Sequence, residues 1–263
     1  MSAGVLYAVS DGVSTITFNR PQAMNALDAE MIRGFRAAAE RAAADAAVRV
    51  IVLRGAGPAF VAGGDVAMFR ERLQAMATLV PELAGELHRG ILALRCAAQP
   101  VVAAVHGAVA GAGFSIMLAC DLVIAAADTR FSLAYSRLGA SPDGGATWFL
   151  PRLAGYQKAM ELMLLADAVD AVALQDIGVV NRVVAADALE AATATLAQRL
   201  AAGPARAYAE TKALANRALN EGLAAHLDAE ALAFARCAAT GDFAEGVAAF
   251  VDKRKPAFRG KQD

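Results

Sequence analysis

The chain has 263 residues, 57% apolar and 19% charged, with 25 basic and 26 acidic side chains and a net charge of -1. A chain this apolar and this neutral is not disordered, and without a basic surplus it is not a general nucleic-acid or anionic-membrane binder. Aromatic residues make up only 6%, so alanine and small aliphatics supply the apolar excess. Closely packed helices are expected, in one large domain or two unequal ones.

Cys96, Cys120 and Cys237 lie far apart with no C-x-x-C between them. That reads as reduced cysteines in a cytosolic core rather than a disulfide or zinc framework. The opening MSAGVLYAVSDG lacks a basic start and a long apolar run, so no signal peptide is expected. Val101–Cys120 carries no Lys, Arg, Asp or Glu over a length that could span a bilayer. Its glycines at 107, 111 and 113, with His106 and Ser115, fit a buried strand, a glycine turn and a buried helix instead.

In chain order, Val5–Val9 and Thr15–Asn19 read as strands joined by the hairpin signal Asp11-Gly12. Asp28 can cap a helix to about Ala44, with Met31, Ile32 and Phe35 on one face. Val48–Leu53 is a largely apolar run, as in a buried parallel strand. After Ala62-Gly63-Gly64-Asp65, residues 66–80 are helical in pattern and Glu82–Leu94 is a second helix, stopped at Gln99-Pro100. Val101–Val105 is a strand, Gly107–Gly111 a turn, Ala112–Cys120 a helix and Leu122–Ala126 a strand. A glycine-rich loop fills 139–145, followed by a helix at Gln157–Leu165 and a short strand at Val179–Val184. From Ala186 the pattern is helical, with breaks at Gly203-Pro204, Asn220-Glu221-Gly222 and Gly241-Asp242. The expected organisation is an α/β core over 1–185, built on a parallel sheet with crossover helices, and a helical region over 186–263.

Common catalytic signatures are missing. The dinucleotide fingerprint fails because Ile116 stands where the third glycine belongs, GAGPAFVAGG lacks the Gly-Lys-Ser/Thr of a phosphate loop, and Ser115 is flanked by Phe114 and Ile116 rather than by an elbow's glycines. Two glycine turns remain, Gly63-Gly64 and Gly107–Gly113, each between a buried strand and a helix. Such turns can offer unpaired backbone N–H groups at a helix start, and two of them converging would form an oxyanion hole. They can equally serve tight packing and positive φ.

Pro21–Leu27 (PQAMNAL), Ala59–Asp65 (AFVAGGD), Ala104–Gly113 (AVHGAVAGAG), Cys120-Asp121-Leu122, Phe131, Pro142–Gly145 (PDGG) and Glu245–Arg254 occur in one order along nearly the whole chain. Together they resemble the crotonase, or enoyl-CoA hydratase/isomerase, superfamily. The resemblance implies a crotonase-like spiral of β-β-α units with a C-terminal helical trimerisation region, and an acyl-CoA thioester as ligand. It implies a homotrimer or hexamer, no metal and no cofactor beyond the coenzyme A of the substrate, and no nucleic-acid or membrane partner.

Carried over by position, the resemblance places the two thioester N–H donors at Gly64 and Ala112. It implies that Ala23, Met24, Ala62, Gly63, Asp65, Val66, Gly111, Ser115 and Tyr135 surround the bound thioester. The two glutamates of the family's hydratases correspond to Ser115 and Tyr135, so both hydratase carboxylates are absent. Asp143 falls where the isomerase branches place a catalytic acid, and 134–152 is most similar to the phenylacetate-pathway isomerase type. Read alone, Pro142-Asp143-Gly144 is also an ordinary turn whose Asp bonds backbone. His88, Tyr135 and Asp143 together fall near the His, Trp and Asp of a dehalogenase branch, although a histidine on a largely apolar helix is more often packed or exposed. His106 reads as structural and His226 as exposed. Phe250 and Lys253 match positions that contact the adenine and phosphates of coenzyme A, often from a neighbouring subunit; Lys253 also fits a solvated charge in Asp-Lys-Arg-Lys. The expected reaction is Δ3 to Δ2 double-bond isomerisation with Asp143 as base. The rivals are hydration with atypical acids, dehalogenase- or hydrolase-like chemistry, and acyl-CoA binding without turnover.

Overall fold

A computed structural model describes residues 4–218 and 220–260. Strands β1 (Val5–Ser10) and β2 (Val13–Phe18) form the expected hairpin, and helix α1 (Ala29–Ala44) begins where the Asp28 carboxylate accepts the Met31 N–H. Next come β3 (Val50–Gly55), α2 (Val66–Glu71), α3 (Met76–Cys96), β4 (Val101–Val105), β5 (Ala108–Ala110), α4 (Ala112–Leu118), β6 (Leu122–Ala126) and β7 (Arg130–Ser132). They are followed by α5 (Ala146–Ala154), α6 (Tyr156–Leu165), β8 (Val169–Asp170), α7 (Ala171–Asp176), β9 (Arg182–Val184), α8 (Leu189–Ala201), α9 (Ala205–Arg217), α10 (Leu223–Ala238) and α11 (Gly241–Val251).

The main sheet runs β1-β2-β3-β4-β6-β9, antiparallel between β1 and β2 and parallel from β2 onward. Both faces are covered, which is why its central strands read as unbroken apolar runs. Ile51, Leu53, Ala103 and Val105 join Phe35 of α1 and Leu87 and Leu94 of α3 in one core. The alternate residues Val50, Val52 and Val102 pack against Ala197 of α8. Further along, α9 is fastened to the core through Lys212, whose Nζ reaches Asp121 at 2.8 Å and donates to the Leu94 and Gln99 carbonyls at 2.8 and 3.1 Å. Among the described residues no helix is long and apolar enough to cross a membrane.

Several expectations are corrected. A second, three-stranded sheet, β5-β7-β8, is present; its strands have two or three residues, too short for any periodicity. The stretch 66–80 is not one helix: α2 ends at Glu71, Leu73–Ala75 is a 3-10 turn, and α3 starts at Met76, before rather than after Pro81. Pro81 withholds one N–H from Ala77, an exposed residue whose carbonyl can bond water. Helix α5 contains Pro151 between two glycine breaks and α7 spans only six residues, so neither showed as a periodic stretch.

Candidate active site

The segment after β3 is threaded between two other parts of the chain. Leu27 pairs with Gly64 in a parallel bridge, donating to Gly63 O at 2.8 Å and accepting from Asp65 N at 3.0 Å. Val61 pairs with Val109, accepting from Ala110 N at 2.9 Å. Asn25, wholly buried, holds the neighbouring loop: its amide donates to the carbonyls of Ala56, Ala59 and Phe60 at 2.9, 2.8 and 3.1 Å. In a parallel bridge the middle residue's own N–H points away from its partner, so Gly64 keeps its N–H for the other side.

The two glycine turns meet. Gly63 has φ +103°, Gly111 has φ +48°, and a Cβ added at Gly111 would lie 3.4 Å from the Gly63 Cα. Gly113 needs the same economy, since a Cβ there would sit 2.3 Å from Val61 O. Ala112 is the first residue of α4, where a backbone N–H has no acceptor within its own helix. Among the described residues neither the Gly64 nor the Ala112 N–H has a backbone acceptor.

Both residues line a cavity of about 670 Å³, together with Ala62, Gly63, Val66, Gly111, Tyr135 and Asp143. Its apolar wall comes from Leu27, Leu83, Leu87 and Leu138, none of which the sequence singled out as a site residue. Asp143 is the one carboxylate among the lining residues. The Tyr135 hydroxyl donates to Asp143 Oδ1 at 2.6 Å. Burial, and then the Asp143 carboxylate, push the Tyr135 phenol well above its ordinary range, so this donor keeps its proton. Ser115 lies fully buried behind the wall and donates from Oγ to the Asp143 carbonyl at 2.8 Å. His88 of α3 accepts the Gly144 N–H at Nε2, 3.3 Å away.

Other expected site residues sit elsewhere. Asp65 caps α2, accepting from Ala67 N and Met68 N at 3.0 and 3.1 Å, and pairs with Arg20 at 2.6 Å. Burial alone would raise its carboxyl, but Arg20 and the two N–H groups outweigh that and hold it below the usual range. Ala23 and Met24 form a turn whose Met24 carbonyl accepts from Ala62 N at 3.1 Å, and neither lines the cavity. Phe250, on α11, lines a separate cavity of about 420 Å³ with Phe243 and Phe258, and Lys253 follows the helix end with φ +52°. Within one chain neither lines the cavity that holds Asp143. His106 is structural, its Nε2 2.8 Å from the Gly57 carbonyl. His226 is half-buried rather than exposed, because Glu221 reaches its Nδ1 at 2.7 Å.

A largely parallel sheet, two residues with unpaired backbone N–H groups lining an apolar cavity and one carboxylate in that lining fit an enzyme that acts on a carbonyl compound. The family model for enoyl-CoA hydratase/isomerase matches residues 8–261. The probable enoyl-CoA hydratase of Rhodobacter capsulatus is 38% identical, covering 98% of each chain. The 1,2-epoxyphenylacetyl-CoA isomerase of Escherichia coli is 36% identical over the same shares. The crystal structure of an enoyl-CoA hydratase from Polaromonas superposes with a TM-score of 0.92 at 34% identity, over 97% of this chain and 99% of that one. The chain belongs to the enoyl-CoA hydratase/isomerase family and is an enzyme of the crotonase superfamily.

Proposed function

We propose that the enzyme moves the double bond of a 3-enoyl-CoA thioester to the 2 position, with Asp143 as the base. The observation that carries this reading is the cavity's single carboxylate, Asp143, beside Ser115 and Tyr135 at the two hydratase glutamate positions. Asp143 takes a proton from C2, and the electrons pass into a dienolate whose charge rests on the thioester oxygen. The N–H groups of Gly64 and Ala112 stabilise that charge, each worth roughly 3–4 kcal/mol in comparable sites. The same carboxyl returns the proton to C4, leaving the C2–C3 double bond. No metal or redox cofactor takes part, and coenzyme A enters with the substrate.

The Escherichia coli relative is named an isomerase of an epoxide-bearing acyl-CoA, which supports isomerisation of a coenzyme A thioester as the broad class. A hydrolytic or dehalogenating route would need His88 to activate water, and its Nε2 is already taken up by Gly144 N–H. The reading includes a cytoplasmic homotrimer or hexamer in which Phe250 and Lys253 meet the coenzyme A of a neighbouring subunit.

The test is Asp143→Asn assayed with 3-enoyl-CoA. General acid–base steps are typically worth about 10²–10⁴ in rate, so turnover falls by that order while a saturated acyl-CoA binds as before. Wild-type turnover by this variant would place the base elsewhere.

A further inference from the structure

We infer that Tyr135, Ser115 and His88 are positioning residues that hold Asp143 in one orientation for proton transfer, an inference that rests on Asp143 being the base. The Asp143-Gly144 peptide is gripped at both polar ends: Ser115 Oγ donates to its carbonyl at 2.8 Å and His88 Nε2 accepts its N–H at 3.3 Å. That fixes the backbone from which the side chain springs. The Tyr135 hydroxyl then fixes the side chain, donating to Oδ1 at 2.6 Å, while no bond to Oδ2 is present among the described residues. One oxygen is anchored and the other is left for the substrate's proton. The three groups come from α4, from the residue that opens the 3-10 turn Ser136–Leu138, and from α3, so the carboxylate is located by separate elements rather than by its own loop.

Packing supports the same assignment. Gly144 has φ +61°, and a Cβ on it would lie 2.8 Å from Ser115 Cβ. The loop can descend onto α4 only because residue 144 has no side chain and residue 115 has a short one. Serine and tyrosine at the two hydratase glutamate positions thereby become the supports of a different carboxylate.

Tyr135→Phe keeps the ring and deletes the donor. Losing a hydrogen bond to a charged group corresponds to about 10–100-fold in rate. The expected result is a kcat on 3-enoyl-CoA lower by that factor, with KM and the binding of a saturated acyl-CoA within about twofold of wild type. In the Asp143→Asn background, adding Tyr135→Phe should change residual turnover less than about twofold, because the group it positions is gone. Ser115→Ala should show the same pattern and provides an independent arm. Unchanged kcat in both single variants, or equal losses with and without the Asp143 carboxylate, would overturn the positioning role while leaving the base intact. Full turnover by Asp143→Asn alone would instead overturn the base, and the positioning role with it.

Discussion

Gly63 and Gly111 approach each other so closely that a methyl group on Gly111 would sit 3.4 Å from the Gly63 Cα. They lie about fifty residues apart in sequence, yet each immediately precedes a residue, Gly64 or Ala112, whose N–H has no backbone acceptor among the described residues. The contact sets the separation of Gly64 and Ala112, so under the proposed reading the geometry of the oxyanion site is a packing property of two glycines.

Gly111→Ala should therefore harm both folding and chemistry. Its backbone, φ +48° and ψ -123°, is one that residues with a side chain occupy at a cost of about 1–3 kcal/mol. The expected outcome is a lower urea midpoint together with reduced turnover, as the Ala112 N–H shifts. A variant as active and stable as wild type would show that the turn tolerates a side chain.

Hydration should be weak. Crotonyl-CoA assayed for 3-hydroxyacyl-CoA should turn over far more slowly than with a two-glutamate relative. The double variant Ser115→Glu, Tyr135→Glu should not recover the activity, because Ser115 is wholly buried and already lies against Gly144. Efficient hydration by wild type would defeat the proposed isomerase reading.

Asn25→Ala should destabilise the fold by about 3 kcal/mol, the upper end for an orphaned buried polar group, since it strips the donor from three carbonyls at once. Asn25 also has φ +57°, which asparagine tolerates better than alanine. Chemical denaturation monitored by circular dichroism reads the loss directly.

The C-terminal segment should loosen in acid. Arg254, at 2.6 Å, and then the Ala257 N–H hold the Glu245 carboxyl down to about 2. A lowered folded value means the contribution is complete above the unfolded value of about 4.3 and disappears as pH falls through about 2. The protection factor of the Ala257 amide, exchange rate corrected for pH, should fall over that window, and Arg254→Gln should move the change to higher pH.

The helical region should assemble. Leu223, Leu232, Phe234, Phe250 and Val251 on α10 and α11 are more than half exposed in the single chain, and large apolar side chains left in water favour burial against a partner. Sedimentation at micromolar concentration should give three or six chain masses; a monomer would refute the assembly.

The local rules written into the chain already determined a good deal. The hairpin at Asp11-Gly12, the Asp28 cap, the doubly buried strands and the helix break at Gly203-Pro204 each depend on neighbouring residues and stand as read, whereas the break expected at Gly241-Asp242 falls just before them, because Thr240 caps α11 and Gly241 opens it. The motif blocks also carried the family. Tertiary structure alone decided the small sheet β5-β7-β8, whose strands pair across distant segments, and the commitment of Asp65 to Arg20 and the start of α2. It also decided the joint hold of Ser115, Tyr135 and His88 on Asp143 and Gly144. Those groups sit 8 to 56 residues from their partners. Spacing along a chain encodes periodicity and caps, whereas a contact over such separations exists only once the sheet and helices have brought its two ends together.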